Sequence, residues 1–346
     1  MNDVDGIITD QKRVADSFNR YFTNIANTLV SKLGKPNTKY QDYLKNPNEN
    51  TFFLGGIDPG ELKLLISKLD SNKSGDIYGI TPSLVKAGCE ELLPILTHLY
   101  NKTFEEGIFP SVLKYAKVVP IHKGESKFIM SNYRPIALLP ILGKILEKLM
   151  HSRLYTFLTR CKILYPGQYG FQKGKSTEQA FFDIQHKIVS SLESKDIPCA
   201  IFLDFAKAFD TVDKDILLNK LKHYGIRGKA HDWLSSYLTG RKQCVYVNGN
   251  LSEDLPIDTG VPQGSILGPL LFLIYINDLA QSSNILKFVM FADDTCIFAA
   301  NKNPQVLTKI LSDELPKVSD WLIANKLSLN IKKTNFIVFK KKKTKI

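Results

Sequence analysis

The sequence predicts an α+β fold, in which helices and strands are mixed without regular alternation. Two short apolar runs, Cys199–Leu203 and Phe288–Ala292, end directly on acidic residues. A run that is apolar on both faces is typical of a buried strand, and an acid at its end needs cations or hydrogen-bond donors. Strict βαβ alternation and internal repeats are both absent, which excludes a doubly wound sheet and a solenoid.

The N-terminal part of the chain predicts one amphipathic helix followed by a linker. Gly34 and Pro36 end the helical pattern, and a polar stretch runs from Lys35 to Asn50. We expect the main domain to start near Leu54. The apolar stripe recurs at three- and four-residue steps and consists of Val14, Phe18, Tyr21, Phe22, Ile25 and Leu29.

Further elements follow in order. Asp58–Glu61 opens a second helix with a capping residue, and the segment Pro82–Leu99 predicts a third helix. Alternation in Lys117–Ile121 predicts a strand. The apolar pattern after Phe288 resumes directly beyond Asp293-Asp294, so we expect a hairpin with this pair at its tip.

The length and charge of the chain favour a folded protein with a polyanionic partner. Its 346 residues, 44% of them hydrophobic, suit two to three structural units or one large catalytic domain. The net charge is +12, but the segment 326–346 holds eight lysines and no acid. Such a run is typical either of a solvated terminus or of phosphate contact, and the sequence leaves both open.

The cysteine pattern predicts a reduced, intracellular protein, nuclear or cytoplasmic. The five cysteines are widely spaced, without a C-x-x-C pair. The first residues are acidic where a secretory signal would be basic, and no apolar run reaches the ~18 residues of a membrane span. We therefore expect no secretion and no membrane partner.

Three acidic residues predict a metal site. Asp204, Asp293 and Asp294 end the two apolar runs, and carboxylates with substrate phosphates are the ligands that Mg²⁺ prefers. Two ions about 3.5–4 Å apart would support nucleotidyl transfer, with Mn²⁺ as a possible substitute. Because side chains alternate along a strand, we expect Asp293 to bind metal directly and Asp294 to support it.

Six motifs in order resemble those of reverse transcriptases from non-long-terminal-repeat (non-LTR, jockey-like) retrotransposons. The segments Phe202–Asp213 and Phe291–Asp294 resemble the first catalytic motif and the aromatic-x-Asp-Asp box. The resemblance implies an RNA-directed DNA polymerase that acts on an RNA template, a DNA primer and deoxyribonucleoside triphosphates. The other motifs are Asn132–Ile136, Gln168–Phe171, Gly260–Ser265 and Leu327–Thr334.

The resemblance implies nucleotide contacts for several residues. Arg134 is suited to the triphosphate, because a guanidinium matches phosphate oxygens; a surface ion pair is the alternative. Lys117 or Lys123 would add a second phosphate contact, unless both are ordinary surface lysines. Phe209 would stand beside the sugar 2′ carbon and exclude ribonucleotides, with core packing as the alternative.

Two further residues complete the expected site. Gln263 lies beside Gly264 in a turn that permits close approach to a ligand, and its amide would contact the base or sugar. Lys333 would act as general acid towards pyrophosphate, although it is one of several neighbouring lysines.

The resemblance also implies a right-hand architecture whose palm is an antiparallel sheet backed by helices. We expect an N-terminal helix and linker in residues 1–50, fingers in 51–200, the palm in 201–340 and a Lys-rich tail in 341–346. A thumb is expected to be missing.

The alternative is a catalytically weak or silent fragment of a mobile element that only binds nucleic acid. Group II intron, telomerase and viral RNA polymerase assignments fit the motifs less well. The segment Gly170–Ser176 imitates a phosphate-binding loop, but it has three residues between its glycines where that loop has four.

Overall fold

A computed structural model describes residues 2–3 and 6–340 of the chain, with side chains from Ile8 onwards. The predicted Lys-rich tail, residues 341–346, lies outside the described residues. The helices are α1 Gln11–Val30, α2 Pro59–Ser67, α3 Pro82–Ala87, α4 Cys89–Glu106, α5 Ile141–Arg160, α6 Thr177–Glu193, α7 Lys214–His223, α8 Gly228–Leu238, α9 Leu267–Ile276 and α10 Pro304–Ala324. The strands are β1 Asn2–Asp3, β2 Gly6–Ile7, β3 Tyr115–His122, β4 Tyr133–Leu138, β5 Ile197–Leu203, β6 Arg241–Val247, β7 Asn250–Leu251, β8 Leu255–Ile257, β9 Lys287–Phe291, β10 Asp294–Asn301 and β11 Asn335–Val338.

A four-stranded antiparallel sheet is formed by strands from residues 197–338. Its strand order is β11-β5-β10-β9, so the two predicted apolar strands lie one strand apart, on either side of β10. Alternate residues of β5 face opposite layers: Ile201 and Leu203 enter the main core, whereas Ala200 packs towards α6. Both faces of the sheet are covered, which explains why its central strands are apolar throughout.

A second, five-stranded sheet is formed by strands from residues 115–257. β3 pairs antiparallel with β4 and parallel with β6, while β7 and β8 both pair with β6. The helix α1 packs on this sheet, with the ring of Phe18 4.9 Å from that of Tyr133 between centroids. The amide of Asn19, only 1% exposed, donates to the carbonyl of Glu253 at 2.7 Å. The predicted N-terminal helix is therefore integrated with the sheet.

The predicted α+β class and the antiparallel, helix-backed palm sheet are confirmed. None of the described helices is both long enough and apolar enough to cross a lipid bilayer. The division into fingers and palm at residue 200 stays a prediction.

Two of the sequence predictions differ from the structure in detail. The expected third helix is split into α3 and α4, because Gly88 ends one helix and caps the next. The predicted hairpin exists, but its two-residue turn is Ala292-Asp293, and Asp294 already belongs to β10. The φ of Ala292 is 57°, in the left-handed region that the turn requires.

Candidate active site

A cleft of about 730 Å³ opens where the loop after β5 meets β4 and the β3–β4 connection. All six sequence motifs contribute to its lining, although they lie far apart in the chain. Representative residues, one from each motif, are Arg134, Phe171, Asp204, Gln263, Asp293 and Lys333.

The acidic side of the cleft follows from the pairing of β5 with β10. The last pair of this ladder joins Leu203 to Thr295. Continuing the antiparallel register sets Asp204 opposite Asp294, with both side chains on the same face. Asp204 and Asp293 line the cleft, whereas Asp294 is exposed at its margin.

Burial and mutual repulsion act on these carboxyl groups. Burial raises the pKa of Asp293, and the nearby Asp294 and Asp204 carboxylates raise it further. The pKa of Asp294 is raised by burial and by Asp204. Like charges are therefore held together at the end of the sheet, an arrangement that a cation would stabilise.

The donor chemistry fits a divalent cation that is shared with a substrate. In the described residues no group of three His, Cys, Asp or Glu side chains is arranged as a preformed metal cage. Magnesium sites that act on phosphates commonly use one or two carboxylates and take their other ligands from water and substrate. Asp204 and Asp293 satisfy that pattern, and Asp294 is within electrostatic reach.

Cationic side chains line the cleft from two places: Lys123 and Arg134 from the end of β3 and from β4, and Lys333 from the segment that is hydrogen-bonded to Asp204. Burial lowers the pKa of Lys123, and the charges of Arg134 and Lys333 lower it further. Within residues 8–340 these three side chains form no ion pair with an acid. The cleft thus carries positive charge suited to an anionic ligand.

Lys117 is not brought into this cluster. It lies on β3 outside the cleft lining, and its Nζ is 4.8 Å from the centroid of the Tyr246 ring. Of the two lysines that the sequence offered as alternatives, the structure brings only Lys123 to the cleft.

Phe209 presents a fixed aromatic edge to the cleft. Its ring stacks on the buried Phe272 with centroids 4.5 Å apart and planes 25° apart. Phe171 meets the same ring edge-on, at 6.2 Å and 87°. Because Phe272 on α9 braces it from behind, the ring cannot readily move away from a ligand.

Gln263 is held by an acid that the sequence analysis did not single out. Its Nε2 donates to Oδ1 of Asp210 at 2.8 Å, and its carbonyl accepts from the backbone N–H of Ala137 at 2.8 Å. The next residue, Gly264, has φ +110°, and a Cβ there would lie 2.6 Å from the carbonyl oxygen of Ala137. Only glycine permits this close approach of the turn to β4.

Asp210 and Lys207 act on each other electrostatically beside the cleft. Burial raises the pKa of Asp210 to about 6, despite the opposing effects of Lys207 and of the Gln263 amide. Lys207 lines the cleft and donates to the carbonyl of Tyr133 at 3.2 Å. The only sequence signal for either residue was its position inside the first catalytic motif.

The segment after α10 is hydrogen-bonded to the backbone at Asp204. The N–H of Asn330 donates to the carbonyl of Asp204 at 2.8 Å, and the N–H of Ala206 donates to the carbonyl of Ser328 at 2.8 Å. These bonds bring Lys333, otherwise an exposed side chain, to the edge of the cleft.

An antiparallel, helix-backed sheet that ends in clustered carboxylates beside a cleft lined with cations is typical of the right-hand polymerase class. The sequence matches the family described as reverse transcriptase (RNA-dependent DNA polymerase) over residues 121–346. The chain belongs to that family.

Two of the relatives come from mobile elements of Drosophila melanogaster. The RNA-directed DNA polymerase from mobile element jockey of Drosophila melanogaster is 29% identical over 307 residues, covering 86% of this chain and 33% of the relative. The probable RNA-directed DNA polymerase from transposon BS of the same species is 30% identical over 307 residues, covering 85% and 33%. The resemblance to non-LTR retrotransposon reverse transcriptases is confirmed, and the chain spans about a third of the length of these relatives.

The raised pKa of Asp210 predicts a pH-dependent stability. Below about pH 4 the carboxyl is protonated in both folded and unfolded chains; above it, the unfolded chain loses the proton first. The favourable contribution is therefore lost as pH rises through about 6. In urea titrations, the stability of the wild type relative to Asp210→Asn should fall by roughly 1–3 kcal/mol between pH 4 and 7.5. A constant difference across this range would contradict the assignment.

Proposed function

We propose that this chain is the fingers and palm core of an RNA-directed DNA polymerase, with fingers in residues 51–200 and the palm in 201–340. The observation that carries the proposal is the meeting of six separated motifs in one cleft, which combines carboxylates with cations. The partners would be an RNA template, a DNA primer and deoxyribonucleoside triphosphates, inside the cell.

The acidic side would hold the metal ions. Asp204 and Asp293 would be the ligands, supported by Asp294. When bound, two Mg²⁺ ions, or Mn²⁺ in their place, would activate the primer 3′-hydroxyl and offset charge on the leaving pyrophosphate. The clustering of like-charged carboxylates beside one another supports this assignment, because it is unfavourable without a cation.

The cationic side would bind the triphosphate. The Arg134 fork would contact phosphate oxygens, and Lys123 would add a second positive charge. Lys333 would donate a proton to the departing pyrophosphate from the edge of the cleft. The absence of ion-pair partners for these side chains in residues 8–340 supports a role towards a ligand.

Two groups would select the nucleotide. The braced ring of Phe209 would leave no room for a 2′-hydroxyl beside the sugar. Asp210 accepts from Nε2 of Gln263, which turns the amide oxygen of Gln263 away from Asp210 and fixes how the amide meets a base or sugar.

A separate cleft of about 640 Å³ supports a nucleic-acid partner. Lys68, Lys73, Lys144 and Lys148 line it, and it shares Gly264 with the catalytic cleft. Burial lowers the pKa of Lys148, and the charges of Lys73 and Lys68 lower it further. The buried Asp76 is already occupied by backbone donors, including the N–H of Ile141 at 2.9 Å. Glu147 and Asp76 partly offset the charge of Lys144, but the four lysines outnumber Asp70 and Asp76, the acids that line the cleft. The array is therefore suited to the phosphates of a nucleic-acid strand.

The metal assignment predicts the effect of charge removal. Asp204→Asn or Asp293→Asn should lower single-turnover nucleotide addition by a factor on the order of 10³, about 4 kcal/mol of barrier. Asp294→Asn should have a smaller effect, because its side chain is at the margin. Primer extension on an RNA template with Mg²⁺ measures both, and Asp313→Asn on the exposed face of α10 is the matched control.

Full activity in either of the first two variants would reject the metal assignment. A wild-type chain that binds primer–template but adds no nucleotide would favour the alternative of a silent nucleic-acid-binding fragment.

The assignment of Phe209 as the residue that excludes a 2′-hydroxyl predicts altered sugar choice. Phe209→Val should raise the incorporation of ribonucleotides relative to deoxyribonucleotides by at least about tenfold, equivalent to 1.4 kcal/mol. Single-nucleotide assays with paired substrates measure the ratio. The control is Phe181→Val, because that ring is 63% exposed on α6. If both variants keep the wild-type ratio of ribonucleotide to deoxyribonucleotide incorporation, Phe209 serves only in packing.

The lysine cleft predicts a salt effect on nucleic-acid affinity. Changing Lys68, Lys73, Lys144 and Lys148 together to Gln should flatten the slope of log K against log salt by up to about 3 units, since each phosphate contact contributes roughly 0.7–0.9. Fluorescence anisotropy with a primer–template measures the slope. The control changes four exposed lysines elsewhere, Lys32, Lys35, Lys302 and Lys309. Equal slopes for the two quadruple variants would contradict a specific contact.

A further inference from the structure

The catalytic hairpin is bordered by a loop that has no assigned role. Residues 165–172 run beside β9, and Gln168 forms an isolated parallel bridge with Met290. The N–H of Tyr169 donates to the carbonyl of Met290, and the N–H of Met290 donates to the carbonyl of Gly167, both at 2.8 Å. The loop is thus joined to the strand that leads into the Asp293 turn.

The side chain of Gln168 holds the turn itself. It is 3% exposed, and its Oε1 accepts from the N–H of Ala292 at 2.9 Å and from that of Gly170 at 2.8 Å. Its Nε2 lies 3.4 Å from the carbonyl oxygen of Ala292 and donates to it. One buried amide therefore contacts both backbone polar groups of the residue that immediately precedes Asp293.

The contact stabilises an unfavourable backbone conformation. Ala292 has φ 57°, which costs a residue with a Cβ of the order of 1 kcal/mol or more. A strained residue persists only where its surroundings determine it, and the described partners of the Ala292 backbone include the Gln168 amide. We call the hydrogen bonds between the Gln168 amide and the Ala292 backbone the clamp. Without the clamp, the turn has other conformations available to it.

The close approach depends on Gly170. A Cβ on this residue would lie 2.3 Å from the backbone nitrogen of Ala292. The loop is held in place from its other side as well, since Nζ of Lys175 donates to the carbonyl of Gln168 at 2.6 Å. The next residue, Phe171, meets the ring of Phe209. The same short loop therefore contacts both the Ala292-Asp293 turn and Phe209, the ring proposed to exclude a 2′-hydroxyl.

We propose that Gln168 is a positioning residue for nucleotide addition: its amide fixes the Ala292-Asp293 turn and thereby the Asp293 carboxylate relative to Asp204. The inference rests on the proposed polymerase function. It extends that function, because it assigns a role to a side chain that lies outside the cleft lining.

The chemistry of an amide explains the choice of residue. Glutamine offers an acceptor for two N–H groups and a donor for one carbonyl. Methionine has a similar shape and offers neither, whereas glutamate keeps the acceptor and loses the donor. The series Gln, Glu, Met therefore removes the contacts in steps.

The first test measures chemistry separately from binding. Gln168→Met should lower the single-turnover rate at saturating primer–template by at least about tenfold, with the apparent nucleotide KM changed less than about threefold. The Mg²⁺ concentration for half-maximal rate should rise. Gln168→Glu should recover part of the rate, because both N–H groups keep their acceptor.

The matched control is Gln243→Met. Gln243 is also a buried glutamine, 8% exposed, and its amide donates to Asn19 where α1 packs on the five-stranded sheet. This variant should lose stability without losing rate or changing the Mg²⁺ dependence. Equal losses of rate in the two methionine variants would mean that Gln168 acts through general stability, and would overturn the proposal.

The second test does not depend on activity. Hydrogen exchange of the peptide 288–294, measured without metal or substrate, should be faster in Gln168→Met than in the wild type and nearly unchanged in Gln243→Met. If the wild type adds no nucleotide but the exchange result holds, the polymerase proposal fails and the clamp stands. Wild-type exchange and wild-type rate in Gln168→Met would reject the clamp.

Discussion

The pairing of β5 with β10 is the constraint on which the site depends. Seven residue pairs, from Leu203–Thr295 to Ile197–Asn301, fix the register of the two strands. A slip by one residue would turn Asp204 to the other face of the sheet and bury the wrong set of side chains. The apolar residues that fill both layers around the sheet therefore specify, at the same time, where the carboxylates meet.

The cleft combines clustered carboxylates with clustered cations. The sheet end provides like-charged carboxylates, and the fingers side provides Arg134 and Lys123. Neither group is neutralised within the described part of the chain by direct ion pairs across the cleft. A ligand that carries phosphates and shares metal ions would relieve both excesses, which links the electrostatics of the cleft to the proposed substrate.

The sequence predicted the parts of the fold that depend on local pattern and motif order. The α1 stripe, the β5 strand and the aspartate hairpin follow from periodicity, and their existence is confirmed. The break at Gly88 was missed, because glycine inside an apolar pattern is compatible with a continuous helix. Periodicity also cannot tell which sheet a helix covers, so the docking of α1 was not foreseen.

The site was predictable as a set of motifs but not as a network. Strand alternation alone could not predict that Lys117 lies beside Tyr246 and outside the cleft, because this position depends on the parallel pairing of β3 with β6. Asp210 and Gln168 act through partners 53 and 124 residues away, and no local pattern reports such a distance.

The docking of α1 also joins residues that are far apart in the sequence, and this has a kinetic consequence. Asn19 bonds to Ser252 across 233 residues, so during synthesis at 5–20 residues per second the apolar face of α1 waits roughly 10–50 s for its sheet. During that interval the apolar residues of α1 lack the sheet that covers them in the folded protein.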